Sequence, residues 1–149
     1  MSEVATNPDG RPIQTKGPVL VVGSGLLGAS AALALRAADI DVYLQDISPT
    51  SLALARDLGA GQVYGPDSPE PALVIVAVPP DVTGDCVIDA LKQHPNAVVT
   101  DVASVKSIII DEVEASGINT CLHIQWLAAN AAERLPQTGT CSLGVPGWW

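Results

Sequence analysis

Short apolar runs alternate with longer helical stretches along the chain from residue 18 onward. The apolar runs predict five strands, over residues 19–22, 42–45, 62–64, 73–78 and 98–101, of which the third is weak and is followed by a proline-rich loop. The intervening stretches predict four helices, over residues 26–38, 48–58, 82–93 and 106–115. Strands that alternate with helices favour a parallel sheet with right-handed crossovers and helices on both faces.

A glycine-rich turn joins the first predicted strand to the first predicted helix. It reads Gly23-Ser24-Gly25-Leu26-Leu27-Gly28. Gly23 permits the tight turn, Gly25 lets the backbone approach a pyrophosphate, and Gly28 lets the helix lie close to the sheet. The free N–H groups at the start of that helix favour phosphates. We therefore interpret these six residues as a cofactor-binding turn. The alternative is a tight strand–helix turn in another α/β domain, such as a sensor that has lost its ligand.

An acidic residue, Asp46, follows the second predicted strand. A carboxylate at this place can accept hydrogen bonds from both ribose hydroxyls, and it repels the 2′-phosphate of NADP. Strand, glycine turn, helix and acid together predict a Rossmann-like, doubly wound α/β domain. The acid makes NAD the expected cofactor.

Two further segments leave strand ends on the same side of the predicted sheet. Val78 and Pro79 follow the fourth strand, and Ser104 follows the fifth. Ligands bind at the carboxyl ends of parallel strands, so all three are candidate site residues. Val78 and Pro79 either line a nicotinamide pocket or only stiffen the exit from the strand. Ser104 either faces the site or caps the next helix, since serine is a favoured N-cap, and both interpretations can hold together. Lys106 is interpreted as a solvated first-turn residue.

The composition limits the class of partner. The chain has 149 residues, a formal net charge of −9 and only seven Lys and Arg residues, so no nucleic-acid partner is expected. Cys86, Cys121 and Cys141 are widely spaced and odd in number, which indicates free thiols and no metal site. The sequence has neither a signal-peptide pattern nor an apolar run of membrane-spanning length. We therefore expect a cytoplasmic protein with no membrane partner.

Three segments, in this order and spacing, resemble the nucleotide-binding half of prephenate/arogenate dehydrogenases. They are Val-Val-Gly-Ser-Gly-Leu-Leu-Gly-Ala-Ser, Val-Ala-Val-Pro-Pro and Asp-Val-Ala-Ser-Val-Lys, and the resemblance covers roughly residues 18–119. It implies NAD-dependent oxidative decarboxylation of prephenate to 4-hydroxyphenylpyruvate, which leads to tyrosine. It also implies that Ser104 contacts the substrate near its ring hydroxyl, which makes Ser104 the candidate catalytic residue. The substrate is expected to be prephenate or arogenate, and the sequence leaves that choice open.

The chain departs from the family pattern after residue 119. The family next carries G-x-H-P-x-x-G, whose histidine assists deprotonation of the substrate hydroxyl, whereas Ile-Gln-Trp-Leu-Ala follows His123 here. A change of reading frame can restore His-Pro-Met-Ala-Gly. We therefore interpret residues 120–149 as an atypical, frame-shifted and poorly ordered tail, with a natural, divergent tail as the alternative. Residues 1–17 are interpreted as a disordered leader, and 18–119 as the NAD-binding domain.

The departure also changes the expected activity. On this interpretation the chain is a single domain without the helical C-terminal domain through which the family forms homodimers. We then expect a truncated NAD-binding fragment with little or no turnover. Two other functions stay open: a different NAD(P)-dependent dehydrogenase or reductase, and a non-catalytic module that binds NAD(H).

Overall fold

Five parallel strands form one sheet in the computed structural model of the chain, which describes residues 16–104 and 106–118. The strands are β1 (Val19–Val22), β2 (Val42–Gln45), β3 (Gln62–Val63), β4 (Leu73–Val76) and β5 (Val98–Asp101). The helices are α1 (Leu26–Ala37), α2 (Pro49–Asp57), α3 (Pro80–Gln93) and α4 (Lys106–Ala115). The strand order is β3-β2-β1-β4-β5, so the direction of winding reverses beside β1. The Rossmann-like α/β fold predicted from the sequence is confirmed.

Apolar side chains form two buried clusters, one on each face of the sheet. Leu20 of β1 packs in the cluster that contains residues of α3 and α4. Its neighbours Val19 and Val21 pack in the cluster that contains residues of α1 and α2. Successive side chains of a strand point to opposite faces, so the two helix pairs cover opposite faces of the sheet. The sheet is therefore doubly wound, as predicted.

The strands end in register at one edge of the sheet. Gln45, Val22, Val76 and Asp101 are paired in a row across β2, β1, β4 and β5. The ladder extends one residue further, because the Ala77 amide donates to the Val22 carbonyl at 2.7 Å. The loops that follow these four strands therefore start side by side. In doubly wound sheets this edge is where ligands bind.

The start of α2 agrees with the sequence, whereas the β4–α3 junction differs by two residues. Ser48 has an extended backbone, its hydroxyl accepts the Ser51 amide at 3.3 Å, and Pro49 begins the helix. Strand β4 ends at Val76 rather than at residue 78, and α3 begins at Pro80 rather than at residue 82. A proline suits the first helical position because its missing N–H would have no partner there.

A loop over residues 64–72 connects β3 to β4, and the structure describes no helix between them. Tyr64 at its start packs edge-on against Tyr43 and His94, with ring centroids 6.2 Å and 5.8 Å away. Glu70 near its end lies with Oε1 3.2 Å from Nδ1 of the buried His94. Aromatic packing and this polar contact therefore tie the loop to β2 and to His94, the residue after α3.

Several predictions fall outside the described residues. They concern the leader before residue 16, the tail at 120–149, Cys121, Cys141 and His123. Among the helices that the structure does describe, none has the length and apolar character needed to cross a membrane.

Candidate functional site

Gly23 turns the chain directly after β1. Its φ of +95° lies in a region that residues with a side chain rarely adopt. A Cβ at this position would overlap the carbonyl oxygen of Ala77 and approach Cγ1 of Val78 to 2.9 Å. The turn therefore requires glycine, and it lies directly against the segment that leaves β4.

Gly28 and Gly25 serve the turn in different ways. A Cβ on Gly28 would overlap the carbonyl oxygen of Gly23, so glycine allows α1 to lie close to the end of β1. A Cβ on Gly25 would meet no heavy atom within 4 Å, and its φ of −68° is open to any residue. The fold thus does not need glycine at position 25. Its missing side chain instead leaves free space next to the backbone, which suits the close approach of a pyrophosphate.

The first turn of α1 faces this space. Gly25 is the N-cap and supplies no side-chain hydrogen bond, and the first turn contains no acidic residue. The first helical bond runs from the Ala29 amide to the Gly25 carbonyl at 2.9 Å, so the preceding amides are not used within the helix. Leu26 and Leu27 are 85% and 64% exposed. The N-terminus of α1 therefore offers N–H groups and a partial positive charge to an anion.

Asp46 links the glycine turn to the loop after β2. Its Oδ2 accepts the Ser24 amide at 2.6 Å and the Ser24 hydroxyl at 2.7 Å, and its Oδ1 accepts the Ser48 amide at 2.7 Å. Partial burial raises the pKa of the Asp46 carboxyl, but these three hydrogen bonds outweigh it and hold that pKa below 3.8. The site therefore contains a fixed, ionised carboxylate beside the N-terminus of α1.

A threonine holds the segment that leaves β4. The buried Thr83 hydroxyl lies 2.9 Å from the Pro79 carbonyl and 3.2 Å from the Val78 carbonyl, and donates to this pair. Val78 is half-buried and Pro79 is exposed. Val78 and Pro79, which the sequence predicts to line a nicotinamide pocket, therefore form a short segment next to Gly23 that Thr83 holds in place.

Ser104 lies at the same edge of the sheet, beyond the end of β5. Its side chain is exposed, and β5 is the second strand from β1. The buried carboxylate of Asp101 accepts the Ala103 amide at 2.9 Å and so shapes the loop that leads to Ser104. This exposure is compatible with contact between Ser104 and a substrate.

The structure brings most of the predicted cofactor residues together. Ser24 contacts Asp46, and Val78 lies against Gly23, whereas Ser104 lies further along the edge. Sequence reasoning missed the hydroxyl of Thr83 and the amide of Ser48 as parts of the site. Thr83 had a detectable signal, because a threonine four residues after Pro79 can bond back to its carbonyl. The Ser48 amide carries no such signal, since its contact depends on how the loop after β2 folds.

Other kinds of site find little support in the described part of the chain. No group of three or more His, Cys, Asp or Glu residues there could hold a metal ion. Cys86 is a free thiol, and burial together with the nearby Asp89 and Asp85 raises its pKa. A thiol with a raised pKa is a poor nucleophile, because the thiolate is the reactive form.

Comparison with known proteins agrees with the fold. The family model "Prephenate dehydrogenase, nucleotide-binding domain" matches residues 31–123, which is more than half of the chain. NovF of Streptomyces niveus, assigned as a prephenate dehydrogenase, is 36% identical over 99 residues. That alignment covers 66% of this chain and 27% of NovF, so the chain spans about a quarter of this relative's length.

Two solved structures are similar to the chain in both sequence and fold. A Corynebacterium glutamicum protein assigned as a prephenate dehydrogenase is 30% identical, with a TM-score of 0.58. The alignment covers 73% of this chain and 35% of that one. Synechocystis arogenate dehydrogenase is 25% identical, with a TM-score of 0.56, over 65% of this chain and 36% of the other. Each solved relative thus extends well beyond the region it shares with this chain.

Proposed function

Because the chain belongs to the family of prephenate dehydrogenase nucleotide-binding domains, we propose that it binds NAD⁺ at the carboxyl edge of its sheet. The whole protein would carry out NAD-dependent oxidation of prephenate, with arogenate as the alternative substrate. Bound NAD⁺ would accept hydride from the ring carbon that bears the hydroxyl. The ring carboxylate would leave as carbon dioxide, and the product would be 4-hydroxyphenylpyruvate.

The observation that carries the proposal is the free space at Gly25. This space lies at the N-terminus of a twelve-residue helix and beside the turn that Asp46 holds from the neighbouring strand. A pyrophosphate needs N–H donors and close access to the backbone, and both are present at this point. The amides of Leu26 and Leu27 would donate to the phosphates.

The other residues receive roles from their positions around this point. Asp46 would accept a ribose hydroxyl, and its negative charge favours NAD⁺ over NADP⁺. Val78 and Pro79 would lie beside the nicotinamide, where Thr83 holds their carbonyls. The exposed Ser104 would contact the substrate near its ring hydroxyl.

The proposal is tested by titrating the full chain with NAD⁺ in a calorimeter. Gly25→Val fills the free space without a contact inside the fold, so we expect NAD⁺ binding at least about tenfold weaker. The loss of stability should be about 1 kcal/mol or less, because valine is only a poorer N-cap than glycine. Ala37→Val is the control, since it enlarges an exposed residue at the other end of the same helix.

Two results would contradict the proposal. One is a wild-type chain that binds no NAD⁺ at millimolar concentration. The other is a Gly25→Val variant that binds NAD⁺ as tightly as the Ala37→Val control. Binding is the property to measure first, because the alignment covers only 27% of NovF and the proposed activity belongs to the whole protein.

A further inference from the structure

Ser24 is a buried polar residue in a turn that is otherwise rich in glycine. Its side chain and backbone are 5% exposed, and both of its donors point to one atom. The amide and the hydroxyl of Ser24 donate to Oδ2 of Asp46 at 2.6 Å and 2.7 Å. The two residues are 22 positions apart in sequence, so this contact ties the turn after β1 to the end of β2.

These bonds leave little freedom to the Asp46 carboxylate. A carboxylate has about four acceptor positions, two on each oxygen. Ser24 fills both positions on Oδ2, and the Ser48 amide fills one on Oδ1 at 2.7 Å. One position on Oδ1 is left for a ribose hydroxyl, whereas the sequence alone suggested that the carboxylate could accept both ribose hydroxyls. The carboxylate is also held from two different loops, so it cannot turn without breaking a charge-assisted hydrogen bond.

We propose that Ser24 is a positioning residue whose hydroxyl holds Asp46 in place and thereby sets the preference for NAD⁺ over NADP⁺. The proposal rests on the proposed function, because it concerns the same nucleotide site. A fixed, ionised carboxylate next to the ribose repels a 2′-phosphate strongly, since it cannot swing away from it. Without the Ser24 hydroxyl, the carboxylate keeps one amide bond on each oxygen. Fewer hydrogen bonds then oppose a rotation that would relieve that repulsion.

The test compares dissociation constants of the full chain for NAD⁺ and for NADP⁺ by calorimetry. Ser24→Ala should reduce the ratio of the NADP⁺ constant to the NAD⁺ constant by about tenfold, the scale of one charge-assisted hydrogen bond. Ser24→Gly, which removes the Cβ as well as the hydroxyl, should lower the ratio by a similar factor. Asp46→Asn should bring the ratio close to one, and adding Ser24→Ala to that variant should change it no further.

A matched control is available at the next serine in contact with Asp46. The Ser48 hydroxyl accepts the Ser51 amide as the cap of α2, whereas only the Ser48 backbone amide donates to Asp46. Ser48→Ala therefore weakens the cap but keeps all three donors to the carboxylate. It should leave the ratio of dissociation constants unchanged.

A second readout does not involve a nucleotide. The pKa of Asp46, followed by carboxyl NMR in the free protein, should rise in Ser24→Ala and stay unchanged in Ser48→Ala. A general loosening of the fold would lower the free energy of unfolding of both variants, but it would not make the pKa of Asp46 differ between them.

The outcomes distinguish this proposal from the one on which it rests. A wild-type chain that binds neither dinucleotide overturns the proposed function, and one that prefers NADP⁺ overturns the assignment of NAD⁺; both remove the role of Ser24. A wild-type preference for NAD⁺ that survives Ser24→Ala and Ser24→Gly overturns the role of Ser24 alone. A Ser48→Ala variant that lowers the ratio as much as Ser24→Ala also overturns it.

Discussion

Asp46 is the residue that joins the two loops of the proposed nucleotide site. Its carboxylate accepts donors from the turn after β1 and from the loop after β2. Hydrogen bonds to an ionised group are stronger than neutral ones, so this single side chain contributes to the stability of the fold. The same contacts that would orient a ribose therefore also fasten two loops to each other.

We predict that Asp46 makes the stability of the fold depend on pH in the acidic range. Burial raises the pKa of this carboxyl, but its hydrogen bonds lower that pKa further, so the folded value lies below the unfolded one. The stabilisation is then present above about pH 4 and is lost as pH falls through the folded pKa. Asp46→Asn should cost about 1 kcal/mol near neutral pH and should lose less stability on acidification.

Urea unfolding at about pH 6 and about pH 3 measures this difference. Asp67→Asn is the control, because Asp67 is an exposed carboxylate outside the contacts of Asp46. The prediction fails if wild type and Asp46→Asn lose the same stability between the two pH values.

The position of Asp46 could be predicted from the sequence, but its partner could not. An acid directly after the second apolar run is visible in the chain itself. Its contact with Ser24 requires that β1 and β2 pair with Val22 opposite Gln45, which brings residues 22 positions apart into contact. Local sequence patterns do not carry this register.

At the scale of elements, the connection from β4 to α3 depends on a side chain inside the helix. Pro79 is the N-cap of α3 and supplies no side-chain hydrogen bond. The Thr83 hydroxyl in the first turn of α3 instead bonds to the carbonyls of Val78 and Pro79. Thr83 is fully buried, so these carbonyls have a partner that water does not easily replace.

We predict that Thr83→Val lowers the free energy of unfolding by about 1–2 kcal/mol. Valine keeps nearly the same volume, so the loss reports the missing hydroxyl rather than a cavity. Thr50→Val removes the same hydroxyl from an exposed position in α2 and should change stability by less than about 0.5 kcal/mol. Urea unfolding measures both variants, and equal effects would show that the hydroxyl of Thr83 does not fasten the connection.

The order of the elements was predictable, whereas the ends of β4 and α3 were not. Residues 73–78 are all apolar, so the pattern gives no point at which the strand should stop. The strand stops where its neighbour β1 ends, since Val76 pairs with Val22. Proline is compatible both with a strand exit and with a first helical turn, which is why Pro80 could belong to either.

At the scale of the whole molecule, the face of the sheet that carries α3 and α4 also carries the loop that joins β3 to β4. The structure describes a loop, and not a helix, between β3 and β4 on this side. Tyr64 from that loop and Tyr43 from β2 pack against the buried cluster that contains Leu20. Edge-on aromatic contacts join Tyr64 to both Tyr43 and His94. The proline-rich loop was predicted, but these contacts depend on residues from three separate parts of the chain.

We predict that Tyr64 makes the fold less stable at alkaline pH. Burial raises the pKa of its phenol above 10.0, and the negative charge of Glu70 adds to this effect. The folded pKa is higher than the unfolded one, so the protonated phenol stabilises the fold below about pH 10, and this stabilisation is lost as pH rises through the folded value. Tyr64→Phe should lack that loss, because phenylalanine keeps the ring and does not titrate.

Urea unfolding at about pH 8 and about pH 11 measures this loss of stability, with Tyr43→Phe as the control that retains the Tyr64 phenol. Parallel losses of stability in both variants would show that the Tyr64 phenol does not couple this loop to the rest of the fold.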